Sequence, residues 1–86
     1  MTYTDIFEEL DKRPFEPFRF FITDGTVYDI RHPEQCMVGL TSIVVGVPGT
    51  VGEKPYHRMV RIGSEHIVRI EPIQVISKGG NGQALA

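Results

Sequence analysis

An Asp-Gly pair at residues 24 and 25 most constrains what this chain can fold into, because apolar strand-forming runs stand on both sides of it. Phe18-Arg-Phe-Phe-Ile-Thr leads in and Thr-Val-Tyr-Asp-Ile-Arg leads out, the strongest short-range signal for a β-hairpin. Gly25 supplies the positive φ that such a turn needs. A two-residue loop predicts that Thr23 faces Thr26, Ile22 faces Val27, Phe21 faces Tyr28 and Phe20 faces Asp29. Phe18, Phe20, Ile22 and Val27 then share one side, and Phe21, Tyr28 and Ile30 share the other. A ribbon with two apolar faces is not stable alone in water. One face must enter a core, and the other must lie under a helix or a partner subunit.

The segments around the hairpin supply that cover. Tyr3, Ile6, Phe7 and Leu10 recur at helical spacing, with Glu8, Glu9, Asp11 and Lys12 between them, which predicts a short helix over residues 4–12. Thr4 or Asp5 can cap it, and Pro14 disfavours helical geometry at Arg13. Pro17 launches the first strand, and His32-Pro33-Glu34 turns the chain after the second. Residues 41–47 read as a buried strand and 48–55 as a loop with three breakers. Runs at 56–62 and 67–70, joined by Gly63-Ser-Glu-His66, read as two more strands. One helix followed by about five antiparallel strands defines a mainly β chain, an α+β small barrel or strongly bent sheet. Residues 1–76 form its single domain, and residues 77–86, with Gly-Gly-Asn-Gly, read as a disordered tail.

Size and charge favour assembly over chemistry. A chain of 86 residues buries only about 60% of its unfolded surface, so it gains from self-association. Residues 1–43 carry four Lys/Arg against eight Asp/Glu, whereas residues 44–86 carry five against three, an asymmetry that suits a head-to-tail self-contact or a local basic face. The overall charge of −2 argues against a surface wholly devoted to phosphate. Cys36 is the only cysteine, the N-terminus lacks a leader pattern, and no apolar run could span a bilayer, so a cytoplasmic protein without membrane contact is expected. His32, Cys36, His57 and His66 lack the spacing of a metal site, and no nucleophile, base and orienting group stand in a recognisable pattern. Neither enzyme activity nor a cofactor is expected.

Two surfaces remain as candidates. Arg58, Arg61 and Arg69, with Lys54 and Tyr56 nearby, can form a nucleic-acid or partner face if Val60, Ile62, Val68 and Ile70 point inward and the arginines outward. A solvated face paired with Glu65 and Glu71 is the reading the acidic total favours. The aromatic residues Phe15, Phe18, Phe20, Phe21 and Tyr28 are first a core, yet they cannot all point inward from one strand pair. Phe15, Phe21 and Tyr28 are therefore candidates for self-association.

The strings RPFEPF, TDG, IRHPE, VGLTSIVVGVP and HIVRIEPI resemble, in that order, a family of short uncharacterised bacterial proteins common in planctomycetes. The likeness covers roughly residues 6–73 and implies relatives, with no activity attached. The helix, the Asp24-Gly25 hairpin with Tyr28, and the late Val60-Arg-Ile-Gly-Ser-Glu-His-Ile-Val-Arg-Ile70 unit are similar to Sm-like proteins, which form rings and often bind RNA. His32-Pro33-Glu34 and Ile62 depart from that pattern where RNA would be held. The function expected is an interaction or structural module that self-associates or docks on a protein partner; the alternative is an Sm-like RNA-binding ring.

Overall fold

The structure, a computed structural model, describes residues 1–50 and 55–73. Helix α1 covers Tyr3–Leu10 rather than the expected residues 4–12: it starts one residue early because Thr2, not Thr4 or Asp5, caps it, and it ends two residues early. The Asp5 amide donates to Thr2 Oγ1 (3.4 Å) and the Thr2 amide donates back to Asp5 Oδ2 (3.3 Å), a reciprocal box that satisfies two otherwise orphaned donors. Only half of the stripe reaches the core. Ile6 and Leu10 are buried, while Tyr3 and Phe7 stand exposed with their rings edge to face at 6.2 Å.

Strands β1 (Phe18–Ile22) and β2 (Val27–Ile30) form the expected hairpin in a different register. Phe18 faces Ile30, Arg19 faces Asp29, Phe20 faces Tyr28 and Phe21 faces Val27. The loop holds three residues, not two. The Gly25 amide donates to the Ile22 carbonyl and the Ile22 amide donates to the Thr26 carbonyl, with Gly25 at φ +90°. Asp24 Oδ1 also accepts from the Thr26 amide at 2.9 Å, and this side-chain turn favours the longer loop. A one-residue slip turns every β2 side chain over. Ile30 is therefore fully buried beside Phe18 and Val27 lies outside, the reverse of the faces predicted for both.

After Ile30 a 3-10 turn at Pro33–Gln35 folds the chain into β3 (Cys36–Val38), which pairs with β4 (Ser42–Val47). Strand β4 pairs with β5 (Arg58–Gly63). A second 3-10 turn, Ser64–His66, leads to β6 (Ile67–Pro72), which returns to pair with β1. Among the described residues six antiparallel strands thus make two three-stranded sheets, β2-β1-β6 and β3-β4-β5. The strand beyond the five expected is β3. Because β2 and β3 are one stretch of chain creased at Pro33–Gln35, the two sheets are halves of a bent ribbon that ends at β6 on one side and β5 on the other.

Val68 departs from its predicted inward position. The register between β1 and β6 shifts so that Phe21 faces Arg69 while the next residue, Ile22, faces Ile67. Val68 is the unpaired extra residue of a bulge, which re-aims the strand. Ile67 turns in and is buried; Val68 turns out and is 55% exposed. The core gathers Ile6 and Leu10 from the helix, Phe18, Phe20, Ile22 and Ile30 from the hairpin, and Ile43, Val45, Ile62 and Ile67 from the other strands. Phe18 and Phe20 stack edge to face at 5.1 Å. Each large side chain buried in this way contributes about 1.5–3 kcal/mol. The expected tail at 77–86 and the loop residues 51–54 lie outside the described residues.

Candidate functional site

The crease that joins the two sheets is locked by one side chain. Gln35 is almost fully buried, and its Nε2 donates to the Asp29 carbonyl and to the Gly46 carbonyl, both at 2.8 Å. Its Oε1 accepts from the Arg31 amide at 2.9 Å. A single amide therefore ties β2, the turn and β4 together, and supplies partners where the crease interrupts the strand ladder. His32 is extended and Pro33 opens the turn, so the His32-Pro33-Glu34 motif serves to present Gln35. Across the hairpin, Arg19 holds Asp29 through two guanidinium contacts, Nε to Oδ1 at 2.5 Å and Nη2 to Oδ2 at 3.1 Å. The hydrogen bond and charge of Arg19 hold the Asp29 carboxyl below the usual range.

The residues proposed as a basic face are distributed over both halves of the ribbon. Arg58 and Arg61 project from β5 and make no ion pair among the described residues. Arg69 belongs to β6, where its Nε donates to Glu71 at 2.6 Å and its guanidinium lies 3.8 Å from the centre of the Phe21 ring. Tyr56 packs its ring against Gly46. A Cβ added there would stand 2.7 Å from the ring, and the Tyr56 hydroxyl is buried without a partner among the described residues. Lys54 lies outside the described residues.

The three aromatic residues proposed for self-association are likewise apart. Phe15 is half-buried and tilted against Phe18 at 6.0 Å, Tyr28 packs on the core, and Phe21 lies on the opposite face beneath Arg69. The large apolar side chains that are exposed on the end strands are Met59 of β5, at 58%, and Val68 of β6, at 55%.

Both end strands are six residues long, and neither has a second strand partner among the described residues. An open cleft of about 360 Å³ runs between the hairpin tip and β5, lined by Ile22, Thr23, Asp24, Tyr28, residues 60–63 and His66. Thr23 and His66 meet along it: the Thr23 amide donates to the His66 carbonyl (2.9 Å) and Thr23 Oγ1 lies 3.4 Å from His66 Nδ1. Among the described residues, no three His, Cys, Asp or Glu side chains converge to hold a metal. Cys36 is buried, and desolvation pushes its thiol up to about 12, which keeps the nucleophilic thiolate out of reach.

Two features went unread in the sequence. Gln35 is polar and stands in a polar turn, where a solvent-facing role is the ordinary expectation. The Val68 bulge leaves no mark in an apolar run. For Gln35, the Pro at the start of the 3-10 turn was the available signal that the chain creases there.

No family model, no curated protein and no solved structure gives a significant match to this chain. No helix of the described residues is long and apolar enough to cross a membrane.

Proposed function

We propose that this protein is a self-associating interaction module, built to join copies of itself, or a protein partner, through the free strand edges of β5 and β6. The observation that carries the reading is the open ribbon, whose two end strands have equal length and, among the described residues, outer edges without a strand partner. Unpaired edges are templates for another strand, and monomeric proteins blunt them with charge, proline or cover. Here Arg58 and Arg61 on β5 and Arg69, Glu71 and Pro72 on β6 supply part of that blunting, while Met59 and Val68 leave apolar side chains between them. Different edges at the two ends make the contact heterologous, which closes into a ring if the rotation per copy permits. The net negative first half and net positive second half of the chain favour such head-to-tail contact.

Solution mass by light scattering after size exclusion tests this. A mass of several protomers is expected, and the double variant Met59→Lys with Val68→Lys should fall to a monomer while its circular dichroism stays unchanged. A wild-type monomer at high concentration that also pairs with no partner protein, or an assembly unaffected by both lysines, refutes the edge mechanism.

The Sm-like RNA-binding ring is the second reading. It is favoured by the order of helix and ribbon and by Arg58 and Arg61, two β5 cations without acidic partners among the described residues. Its test is binding of single-stranded RNA at low salt, lost in Arg58→Ala with Arg61→Ala and with a salt dependence set by the cations involved.

A further inference from the structure

We propose that the outer face of the β3-β4-β5 sheet is a docking site for helix α1 of a second copy of this chain. The contact differs from the strand-edge pairing above and does not rest on it. It seats a helix ridge on a sheet face, and neither β6 nor the outer edge of β5 takes part. Three observations carry it.

First, the face is apolar where a sheet turned to water is ordinarily polar. Strand residues alternate between faces, and Ile43, Val45 and Ile62 are buried in the core, so the residues between them point outward. Met37 pairs with Val44, Val44 with Arg61, and Gly46 with Met59. Met37 is 70% exposed and Met59 58%, with the half-buried Val44 between them. Tyr56 walls one end, its ring lying where a Gly46 side chain would stand. Methionines are adaptable contact residues, over-used where one protein surface receives another. The chain's own helix does not cover this face, because Ile6 and Leu10 hold α1 on the core side.

Second, the same chain carries a ridge that fits. Tyr3, Phe7 and Asp11 recur at four-residue spacing and form one row along α1. The Tyr3 and Phe7 rings stand exposed, edge to face, with centres 6.2 Å apart. Met37 and Met59 lie on the two strands flanking β4, offset by one step of two residues, which sets them roughly 12 Å apart. The two rings therefore straddle Val44, and each meets one methionine, a sulfur contact that aromatic rings favour.

Third, the charges match and set the direction. Arg61 belongs to this face and makes no ion pair among the described residues. Glu65 stands at the end of the face beside Gly63, 3.9 Å from His66. On the helix, Glu8 and Asp11 border Phe7, are exposed and have no ion pair among the described residues, whereas Lys12 is taken by Glu9 and Glu16. The Phe7 end accordingly lies over β5, with Glu8 and Asp11 toward Arg61, and the Tyr3 end lies over β3 beside Met37. An acidic helix on a basic strand also follows the charge difference between the two halves of the chain.

The test follows amide chemical shifts of the full-length, nitrogen-15-labelled protein as its concentration is raised. All samples carry Val68→Lys, which takes the β6 edge out of play, and Met59 is left unchanged, so that edge and face are read separately. One short helix on one sheet covers less than the roughly 800 Å² per partner of stable complexes, so a dissociation constant on the order of 0.1–1 mM is expected. The Phe7, Met37 and Val44 amides should move with concentration. Phe7→Lys alone and Met37→Lys alone should abolish the movement, both being exposed positions, and an unchanged spectrum in dilute solution establishes that each variant folds. Tyr3→Lys probes the same ridge if Phe7→Lys disturbs the helix. Mixing the two variants should restore one contact: helix amides move in the labelled Met37→Lys copy and sheet amides in the labelled Phe7→Lys copy. Arg61→Glu should weaken docking at least about tenfold, and Glu8→Arg with Asp11→Arg should recover part of that loss. The proposal is overturned if these amides stay fixed up to millimolar protein, if either variant alone associates like its parent, or if the mixture restores nothing. Movement confined to the outer edges of β5 and β6 overturns it as well and leaves the edge reading standing.

Discussion

Replacing Gln35 by alanine tests whether the crease between the two sheets depends on one side chain. The substitution removes three hydrogen bonds at once. The bond to the Gly46 carbonyl lies in the interior, and leaving that acceptor unpartnered costs about 1–3 kcal/mol. The Asp29 carbonyl and Arg31 amide are only partly buried, so water can replace much of what they lose, and together they add about 1 kcal/mol. The expected loss is thus about 2–4 kcal/mol, a large share of the roughly 4–13 kcal/mol available to a domain of this size. In urea, with a slope of about 1 kcal/mol per molar, the unfolding midpoint should fall by about 2 M or more. The comparison must be made at one fixed protein concentration, because association adds to apparent stability. Gln35→Glu sharpens the test. At neutral pH its carboxylate would set oxygen against the Asp29 and Gly46 carbonyls with no proton to donate, so it should be worse than alanine and partly recover on acidification. A Gln35→Ala midpoint equivalent to within about 0.5 kcal/mol of wild type would refute the clamp, since surface substitutions give changes of that size.

Three further outcomes follow from the packing and the charges. Gly46→Ala puts a methyl group 2.7 Å from the Tyr56 ring and should cost about 1–3 kcal/mol by overpacking; adding Tyr56→Ser should relieve part of that cost, and additive losses in denaturant unfolding would show that the contact is not the cause. The depressed Asp29 carboxyl adds stability that is complete above the unfolded value of about 3.9 and is lost as pH falls through the lower folded value. Asp29→Asn should therefore flatten, though not abolish, the fall in stability below about pH 4, with Asp24 supplying part of the remaining slope. Cys36, with its thiol raised to about 12, should resist a thiol-specific disulfide reagent in the folded protein and react promptly in urea; labelling of the folded protein at the rate of a free thiol would contradict its burial.

The legible parts of this fold were those governed by local chemistry. Asp24-Gly25 marks a turn because few other pairs adopt its backbone, and Pro14 with Pro17 separates helix from strand for equally local reasons. The loop length was not legible. Two or three residues are both compatible with Asp-Gly, yet the choice turns over Val27 and Ile30, and the register emerges only when Phe18 and Ile30 are packed in one core. Strand β3 is three residues long and includes a methionine that is 70% exposed, so no alternation announces it. The bulge at Val68 arises from pairing β6 with a strand some fifty positions earlier. At the surface, the arginines were legible as charges but not as neighbours: Arg69 is engaged by Phe21 and Glu71, while Arg58 and Arg61 stand on another sheet. Cleft residues from the hairpin tip and from β5 come together only through the topology.

The pairing of β1 with β6 also sets an order of events during synthesis. Strand β1 is the middle strand of its sheet and carries Phe18, Phe20 and Ile22, but one of its two neighbours is β6, the last of the described strands in chain order. The hairpin, the crease and the β3-β4-β5 meander close over short separations, whereas Phe18 meets Pro72 only when almost all the described chain is present. Until then one side of the most aromatic strand has no backbone partner, and the nascent chain carries an adhesive edge until β6 has been made. Pulse-labelled hydrogen exchange during refolding should accordingly find the β6 amides protected last, and protection of β6 before β4 would reverse this order.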